Sequence, residues 1–252
     1  MGALHEGHLS LVKKSLDSCN HTVASIFVNP AQFSPDEDFG SYPRDLAQDQ
    51  LALESLGVDV LFLPDDKIIY PDNFSTYLEE NKLSKGLESV SRPYFFKGVL
   101  TVVLKLFNII KPQSVFFGKK DYQQFRLVEK MVEDLNLAIN VVGGETIREK
   151  SGLAMSSRNE AFIDQEIQSL EIIYQSLKMG KDRILLGEKD TSIIKNLVQN
   201  TLLTLKGLTI DYIEITDLKN LSSLETINQS VLISLAVYFK NVRLIDNIEV
   251  VV

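Results

Sequence analysis

The chain has 252 residues, of which 44% are apolar and 24% charged, so it is long enough for one large or two modest globular domains. A net charge of −8 argues against nucleic acid or an anionic membrane as the main partner, and the single cysteine excludes an internal disulfide. Because no apolar run reaches the ~18 residues of a membrane span and the start lacks a signal-peptide layout, we expect a cytoplasmic protein.

The opening segment carries two histidines, His5 and His8, with Gly7 between them and an apolar pattern at helical spacing after them. A helix predicted over 9–19 places both imidazoles and several backbone N–H groups at its positive end, which suits the phosphates of a nucleotide. The alternative is two surface histidines near a frayed terminus, and the short pattern alone leaves both interpretations open.

Short apolar strands alternate with helices along the first part of the chain. We predict strands over 22–27, 58–63, 114–117 and 139–142, and helices over 44–56, 98–110 and 122–136. This alternation predicts an α/β fold, a Rossmann-like doubly wound parallel sheet over residues 1–146, with ligands beyond the carboxyl ends of its strands.

The pattern changes after about residue 146. Helices predicted over 164–180 and 191–205 are followed by strands predicted over 210–215, 231–237 and 242–245. Helices followed by a small meander indicate a smaller α+β domain over residues 147–252.

Polar clusters follow two of the predicted strands. Asn29 and Gln32 place two side-chain amides among apolar residues, a pocket for a small hydroxy acid, although a plain turn is the alternative. Gly118, Lys119, Lys120 and Asp121 lie at a strand-to-helix turn, where a lysine can reach a phosphate and the aspartate a ribose hydroxyl or Mg²⁺. Their alternative is a capped helix start with solvated lysines.

A further cluster precedes the C-terminal helices. Two hydroxyls and a guanidinium, at Ser156, Ser157 and Arg158, form a good clamp for a polyphosphate. The alternative is a helix N-cap with a surface arginine, and Arg92, before a proline in a loop, is ambiguous by itself.

Taken together, these clusters resemble the pantothenate synthetase (pantoate–β-alanine ligase) family of the HIGH-signature nucleotidyltransferase superfamily. The resemblance covers nearly the whole chain, through segments in a fixed order: Met1–His8, Phe27–Phe33, Asp38–Arg44, Ile69–Pro71, Arg92–Leu106, Gly118–Gln124, Arg148–Asn159 and Arg243–Asn247.

The resemblance implies a reaction in two steps. The carboxylate of pantoate attacks the α-phosphorus of Mg·ATP to give pantoyl adenylate and pyrophosphate, and the amine of β-alanine then attacks the acyl group and releases AMP. It implies ATP as a substrate, Mg²⁺, a homodimer formed through the first domain, and a C-terminal domain that acts as a lid.

The resemblance also implies roles for individual residues. The implied catalytic residues are His8, which acts as proton donor, His5 and Lys120. Pantoate is bound by Gln32 and Gln124, and Gln32 also lies near β-alanine. Asn29 and Arg92 complete the implied substrate site. The implied ATP site comprises Met1, Gly2, Ala3, Leu4, His5, Glu6, Gly7, His8, Gly118, Lys119, Lys120, Asp121, Ile147, Met155, Ser156, Ser157 and Arg158.

The chain departs from the family pattern in three places. Phe95 stands where the family commonly has histidine, and Ser151 where it has aspartate, so both changes are expected to weaken substrate binding. The strand that normally precedes the opening segment is absent from this sequence, which suggests a start assigned too far downstream or a deliberate fragment. Two alternatives to the ligase therefore remain: another H-x-G-H nucleotidyltransferase, or a truncated, non-catalytic nucleotide-binding protein.

Overall fold

The computed structural model describes residues 2–33, 40 and 44–252. Met1 and most of the Asp38–Arg44 segment, both part of the resemblance, lie outside the described residues. The chain separates into a first unit, Met1–Lys119 with Gln123–Glu145, and a second unit, Lys120–Tyr122 with Thr146–Val252. Among the described residues, no helix is long and apolar enough to span a bilayer.

In the first unit, short parallel strands alternate with helices. In chain order the elements are α1 (Glu6–Ser18), β1 (Val23–Ser25), α2 (Leu46–Leu56), β2 (Val60–Phe62), α3 (Asp66–Ile69), α4 (Glu88–Ser91), α5 (Phe95–Ile110), β3 (Ser114–Gly118), α6 (Tyr122–Asp134) and β4 (Asn140–Gly144). Two 3-10 helices, Pro30–Gln32 and Lys119–Asp121, follow β1 and β3, and Lys120–Tyr122 are counted with the second unit.

The strands of the first unit pair in parallel, as predicted. The described ladders join β1 to β2 and β3 to β4, so they form two separate pairs within the described part of the chain. Gly57 ends α2 in the left-handed conformation (φ 82°), directly after the helix predicted over 44–56. The apolar run after Pro93 is the buried helix α5, because its length exceeds that of a strand and it is apolar on nearly every side.

The second unit has helices followed by an antiparallel sheet, which confirms the α+β pattern. Its elements are a 3-10 helix (Ser157–Ala161), α7 (Asp164–Ser169), α8 (Glu171–Leu185), α9 (Thr191–Leu202), β5 (Leu208–Asp217), β6 (Val231–Phe239) and β7 (Val242–Val250), with sheet order β5-β6-β7. A single helix predicted over 164–180 is instead two, α7 and α8, which meet at Leu170.

One apolar core fills the second unit. Every residue of β6 except Tyr238 is buried, and α8 and α9 supply further fully buried side chains, among them Leu177, Ile194 and Val198. A strand buried along nearly its whole length lies in the middle of its sheet, as the order β5-β6-β7 shows.

Candidate active site

The two histidines of the opening segment cap α1. His5 is the N-cap residue: its Nδ1 accepts a hydrogen bond from the Gly7 N–H at 3.1 Å, and its own N–H donates to His8 Nδ1 at 3.3 Å. Because both rings accept at Nδ1, each neutral ring carries its proton on Nε2. The ring centroids are 3.9 Å apart, so two N–H donors of fixed tautomer lie side by side at the positive end of the helix.

A buried carboxylate holds this segment in place. Asp49 of α2 is 2% exposed and accepts hydrogen bonds from the Ala3 N–H (2.9 Å) and the Leu4 N–H (2.6 Å). Ala3 has a positive φ of 51°, so the segment turns sharply where Asp49 binds it. These two N–H groups are therefore engaged within the protein. No pattern in the sequence singles out Asp49, which occupies an ordinary helical position.

Two glycines let α1 lie close to the ends of β3 and β4. Gly118 and Gly144 are the last paired residues of these parallel strands, and a Cβ at Gly144 would lie 2.2 Å from Cδ2 of Leu11 in α1. The Lys14 ammonium also donates to the Gly143 carbonyl at 2.7 Å. Helix α1 thus packs at the carboxyl ends of the two strands, the edge where an open α/β sheet binds its ligands.

The predicted substrate residues meet in the 3-10 helix after β1. Asn29 is 3% exposed, and its Nδ2 donates to Gln32 Oε1 at 2.8 Å. The Arg92 guanidinium donates to the Gln32 carbonyl at 3.1 Å and lies over the Phe95 ring, 3.8 Å from its centroid. Asn29, Gln32 and Arg92 are therefore one connected cluster, and Phe95, the departure from the family pattern, stacks on its arginine.

Helix α5 touches this cluster through Gly98. The Gly98 carbonyl accepts from Asn29 Nδ2 at 3.1 Å, and a Cβ at this position would lie 2.1 Å from the Ala31 carbonyl oxygen. A backbone oxygen cannot move away as a side chain can, so only glycine fits here. From the sequence, Gly98 is only the start of a predicted helix, because a glycine gives no sign of what packs against it.

Two adjacent glutamines of α6 have different roles. Gln123 is buried: its amide donates to the carbonyls of Leu83 (2.8 Å) and Gly86 (3.2 Å), and its Oε1 accepts from the Glu88 N–H (3.1 Å). It therefore fixes the irregular stretch before α4. Gln124 is half-buried, and its side chain makes no hydrogen bond with the part of the chain that the structure describes.

The lysines after β3 are each held by a neighbour. Lys119 pairs with Glu145 at 3.0 Å within the first unit. Lys120 belongs to the second unit, where its ammonium lies 3.8 Å from the Asp121 carboxylate and its carbonyl accepts from Asn247 Nδ2 at 2.8 Å. The C-terminal motif quoted for the resemblance thus anchors the backbone of a predicted phosphate-binding lysine, a role not assigned from the sequence.

The same motif holds Arg148. Asp246 is 2% exposed and accepts two hydrogen bonds from the Arg148 guanidinium, at 2.6 and 2.9 Å, while that guanidinium lies over the Tyr174 ring. Burial raises the pKa of the Asp246 carboxyl, and Arg148 acts in the opposite direction. This bidentate pair fixes the start of a short hairpin turn, across which the Met155 N–H donates to the Ile147 carbonyl at 2.9 Å.

The hydroxyl-rich segment after that turn forms a 3-10 helix. Ser156 is its N-cap and accepts from the Arg158 N–H at 3.3 Å, as the capping alternative predicts, whereas Ser157 is buried. Ser151, the other departure from the family pattern, accepts from the Leu153 N–H at 3.4 Å in the turn where Gly152 has a φ of 100°.

Glu6 of the opening segment is exposed and pairs with Lys13.

Comparison with known proteins identifies the family. The sequence model described as pantoate-beta-alanine ligase matches residues 1–249, nearly the full chain. The chain belongs to the pantoate–β-alanine ligase family. A relative named pantothenate synthetase, from Thermosipho africanus, is 51% identical over 247 residues, which cover 98% of this chain and 88% of the relative. The relative with the same name from Thermotoga petrophila is 48% identical over 247 residues, with the same coverage.

Solved structures agree with this membership. The crystal structure of pantothenate synthetase from Thermus thermophilus has a TM-score of 0.96 and 38% identity, and the match covers 100% of this chain and 91% of that one. A pantoate-beta-alanine ligase from Francisella tularensis, complexed with beta-gamma ATP and beta-alanine, has a TM-score of 0.78 and 38% identity, over 99% of this chain and 87% of that one. The family shown is a family of ligases, so the alternatives of another H-x-G-H nucleotidyltransferase and of a non-catalytic protein are not favoured.

Proposed function

We propose that this chain condenses pantoate with β-alanine in two steps, of which the first consumes ATP. A pantoate carboxylate oxygen attacks the α-phosphorus of ATP and pyrophosphate leaves, giving pantoyl adenylate. The amine of β-alanine then attacks the acyl carbon, and AMP leaves. The observation that carries the proposal is the close pair His5–His8 at the start of α1, in a chain that matches the ligase family over nearly its whole length.

The histidine pair supplies the chemistry of the first step. Negative charge grows on the leaving pyrophosphate, and two Nε2–H donors at a helix N-terminus stabilise it without reorganisation. Since hydrogen bonds at Nδ1 fix both rings, the donors are in place before ATP binds. We assign His8 as the proton donor and His5 as its partner on the phosphates, with Gly2, Ala3, Leu4, Glu6 and Gly7 lining the nucleotide.

The amide cluster supplies the acid-binding site. Gln32 has its Oε1 engaged by Asn29, so its Nε2 is the group that meets pantoate oxygens. We propose that Gln124 binds pantoate as well, because it is half-buried and uncommitted among the described residues, and that Arg92 supports the site through the Gln32 carbonyl. No covalent enzyme intermediate is needed, since positioning and charge stabilisation account for both steps.

We assign the remaining nucleotide contacts from the resemblance. In the first unit they are Gly118 and Lys119; in the second, Lys120 on the phosphates, Asp121 on the ribose, the Ile147 backbone on adenine, and Met155, Ser156, Ser157 and Arg158 on the triphosphate. Asn247 supports this assignment for Lys120, because it fixes the lysine backbone. Residues 1–146 and 147–252 are then the nucleotide- and pantoate-binding domain and the lid domain.

Magnesium enters with ATP in this proposal. The described residues contain no group of three or more His, Cys, Asp or Glu that would hold a metal ion. Mg²⁺ bound to a nucleotide keeps its phosphate and water ligands and needs only one or two carboxylates, which fits such a donor set. Bound in this way, the ion would neutralise phosphate charge.

We further propose a cytoplasmic homodimer. Several large apolar side chains of the first unit are more than 40% exposed, which supports an interface there: Leu51, Val60, Ile68, Val90 and Tyr94. Sedimentation of the purified chain tests the dimer.

Pantoate-dependent ATP–pyrophosphate exchange, run without β-alanine, tests the proposed function. We expect exchange only when pantoate is present, and AMP release once β-alanine is added. His8→Ala is expected to lower exchange by at least about 100-fold, because it removes a donor to the leaving group. The matched control is His21→Ala, which removes an exposed histidine paired with Asp59 and should leave exchange unchanged.

The other outcomes separate the alternatives. Exchange that needs no pantoate would indicate a different nucleotidyl transfer, and ATP binding with no pyrophosphate release would indicate a non-catalytic protein. Either result would refute the ligase proposal.

A further inference from the structure

Tyr70 is joined to the amide cluster, although it is distant in the sequence. It follows α3, and its hydroxyl donates a hydrogen bond to Asn29 Oδ1 at 2.8 Å. The ring is half-buried and packs against Phe74, with 5.1 Å between the centroids. The proposed function leaves this hydroxyl without an assigned role.

The orientation of the Asn29 amide is determined by groups that have only one hydrogen-bonding character. The Ala31 N–H, which can only donate, points to Oδ1 at 3.3 Å, and Tyr70 donates to the same oxygen. The Gly98 carbonyl, which can only accept, takes a hydrogen bond from Nδ2 at 3.1 Å. A flipped amide would place oxygen against oxygen and nitrogen against N–H.

The orientation of Asn29 determines that of Gln32. The second proton of Asn29 Nδ2 is donated to Gln32 Oε1 at 2.8 Å, so the oxygen of the Gln32 amide is directed towards Asn29. The Arg92 guanidinium holds the Gln32 carbonyl at 3.1 Å, which restrains the backbone of the same residue. The Gln32 Nε2 group is therefore the end of the amide that is left to donate to a ligand.

We infer that Tyr70 is a positioning residue for acid binding: through Asn29 it keeps the Gln32 amide nitrogen directed to the carboxylate or hydroxyl oxygens of the acid substrate. This inference rests on the proposed function for the identity of that acid. Without the hydroxyl, Asn29 Oδ1 loses its shorter hydrogen bond and keeps only the longer one from Ala31. The Asn29 amide, and with it the Gln32 amide, is then held less firmly in this orientation.

The hydroxyl remains a donor under all ordinary conditions. Burial raises the pKa of Tyr70 to about 12. The proton that Asn29 receives is consequently present throughout the pH range in which an ATP-dependent ligase works.

The first test is Tyr70→Phe with Tyr77→Phe as the matched control. Tyr77 belongs to the same aromatic group, 5.1 Å from the Phe74 ring, but it makes no hydrogen bond to Asn29. In the exchange assay we expect Tyr70→Phe to raise KM for pantoate about three- to tenfold and to leave KM for ATP unchanged. A structural loss alone would affect both constants, and an equal pantoate KM in the two variants would overturn the inference.

A double-mutant cycle tests whether the effect passes through Gln32. In a Gln32→Ala background, Tyr70→Phe should change the pantoate KM by less than about twofold, because no amide remains to be positioned. An undiminished effect of Tyr70→Phe in that background would show that the tyrosine acts by another route.

A second measurement does not depend on activity. Nitrogen-15 NMR of the side-chain amides, with Asn29 identified by Asn29→Asp, should show Asn29 Nδ2 protons that exchange slowly in the wild type and in Tyr77→Phe. They should exchange at least about tenfold faster in Tyr70→Phe. Equal exchange in both variants would refute the positioning role. If the wild type gave no pantoate-dependent exchange but showed this NMR difference, the proposed function would fail while the role of Tyr70 in the cluster stood.

Discussion

The two units of this chain use their strands in different ways. In the second unit, β5, β6 and β7 are nine or ten residues long, and β6 is buried along nearly its whole length in one apolar core. In the first unit the strands have three to five residues, and Val23 and Val60 on β1 and β2 are 40% and 51% exposed.

The first unit relies on single polar contacts where the second relies on apolar area. Asp49, Asn29 and Gln123 are each at most 5% exposed, and each fixes a backbone segment that no long ladder holds. Such contacts have defined directions, so they can place a donor for a ligand, whereas apolar packing has none. We therefore expect mutations in the first unit to affect activity most, and mutations in the core of the second unit to affect stability most.

The largest expected effect is that of Gly98→Ala. The new Cβ would overlap the Ala31 carbonyl, so the 3-10 helix with Asn29 and Gln32 must shift. Pantoate-dependent exchange should fall by on the order of 100-fold. Gly180→Ala on α8 is the control: its Cβ meets only side chains, at 3.1 Å or more, so it should cost about 1–3 kcal/mol of stability and leave exchange intact. Wild-type pantoate KM in Gly98→Ala would contradict the comparison.

Leu177→Ala tests the other half of the comparison. Leu177 is fully buried in the core of the second unit, so the cavity should cost about 2–5 kcal/mol in the free energy of unfolding, as read by calorimetry. At temperatures well below melting, exchange should match the wild type. Leu185→Ala, on the same helix but 54% exposed, should cost less than about 0.5 kcal/mol. Lost activity in a folded Leu177→Ala protein would break the division between the units.

Asp49→Asn should separate placement of the histidines from folding. The carboxylate of Asp49 accepts from two N–H groups, those of Ala3 and Leu4, one at each oxygen. An asparagine amide has only one oxygen, so its NH₂ group would face the other N–H, donor against donor. Such a mismatch costs about 1–3 kcal/mol. If it destabilises mainly the active conformation of the opening segment, kcat/KM for ATP should decrease by roughly 5- to 150-fold. Asp45→Asn, at the N-cap of the same helix, is the control and should change kcat/KM little.

The smallest effect concerns pH. Hydrogen bonds from Ser192 lower the pKa of Asp190, the exposed N-cap of α9. A carboxyl whose pKa is lower in the folded than in the unfolded state stabilises the folded state. This stabilisation is complete at pH values above the unfolded pKa and is lost as the pH falls through the lowered, folded pKa. Between pH 6 and about pH 3, the urea concentration at the midpoint of unfolding should therefore decrease less for Asp190→Asn than for the wild type. An identical loss would show that this cap does not contribute to acid sensitivity.

Much of the fold followed from the sequence because its signals are local. The length of an apolar run predicted α5, the apolar period predicted α6, and the change of pattern near residue 146 separated the two regions. The site clusters were also visible, since His5 lies close to His8 in the chain and Asn29 lies close to Gln32. One helix was predicted over 164–180 because the apolar period continues through Leu170. The structure instead has a break between two helices at that residue.

What the sequence by itself determined is the set of chemical groups and the elements that carry them: two imidazoles at a helix start, amides and lysines after strands, and a family resemblance through motifs in order. Only the tertiary structure decided which partners orient those groups. Asp49 lies 45 residues from the N–H group of Leu4, Tyr70 lies 41 residues from Asn29, and Gly98 lies 69 residues from Asn29. A directional hydrogen bond between residues so far apart leaves no periodic trace in the chain, because either partner alone is an ordinary residue of its helix or loop.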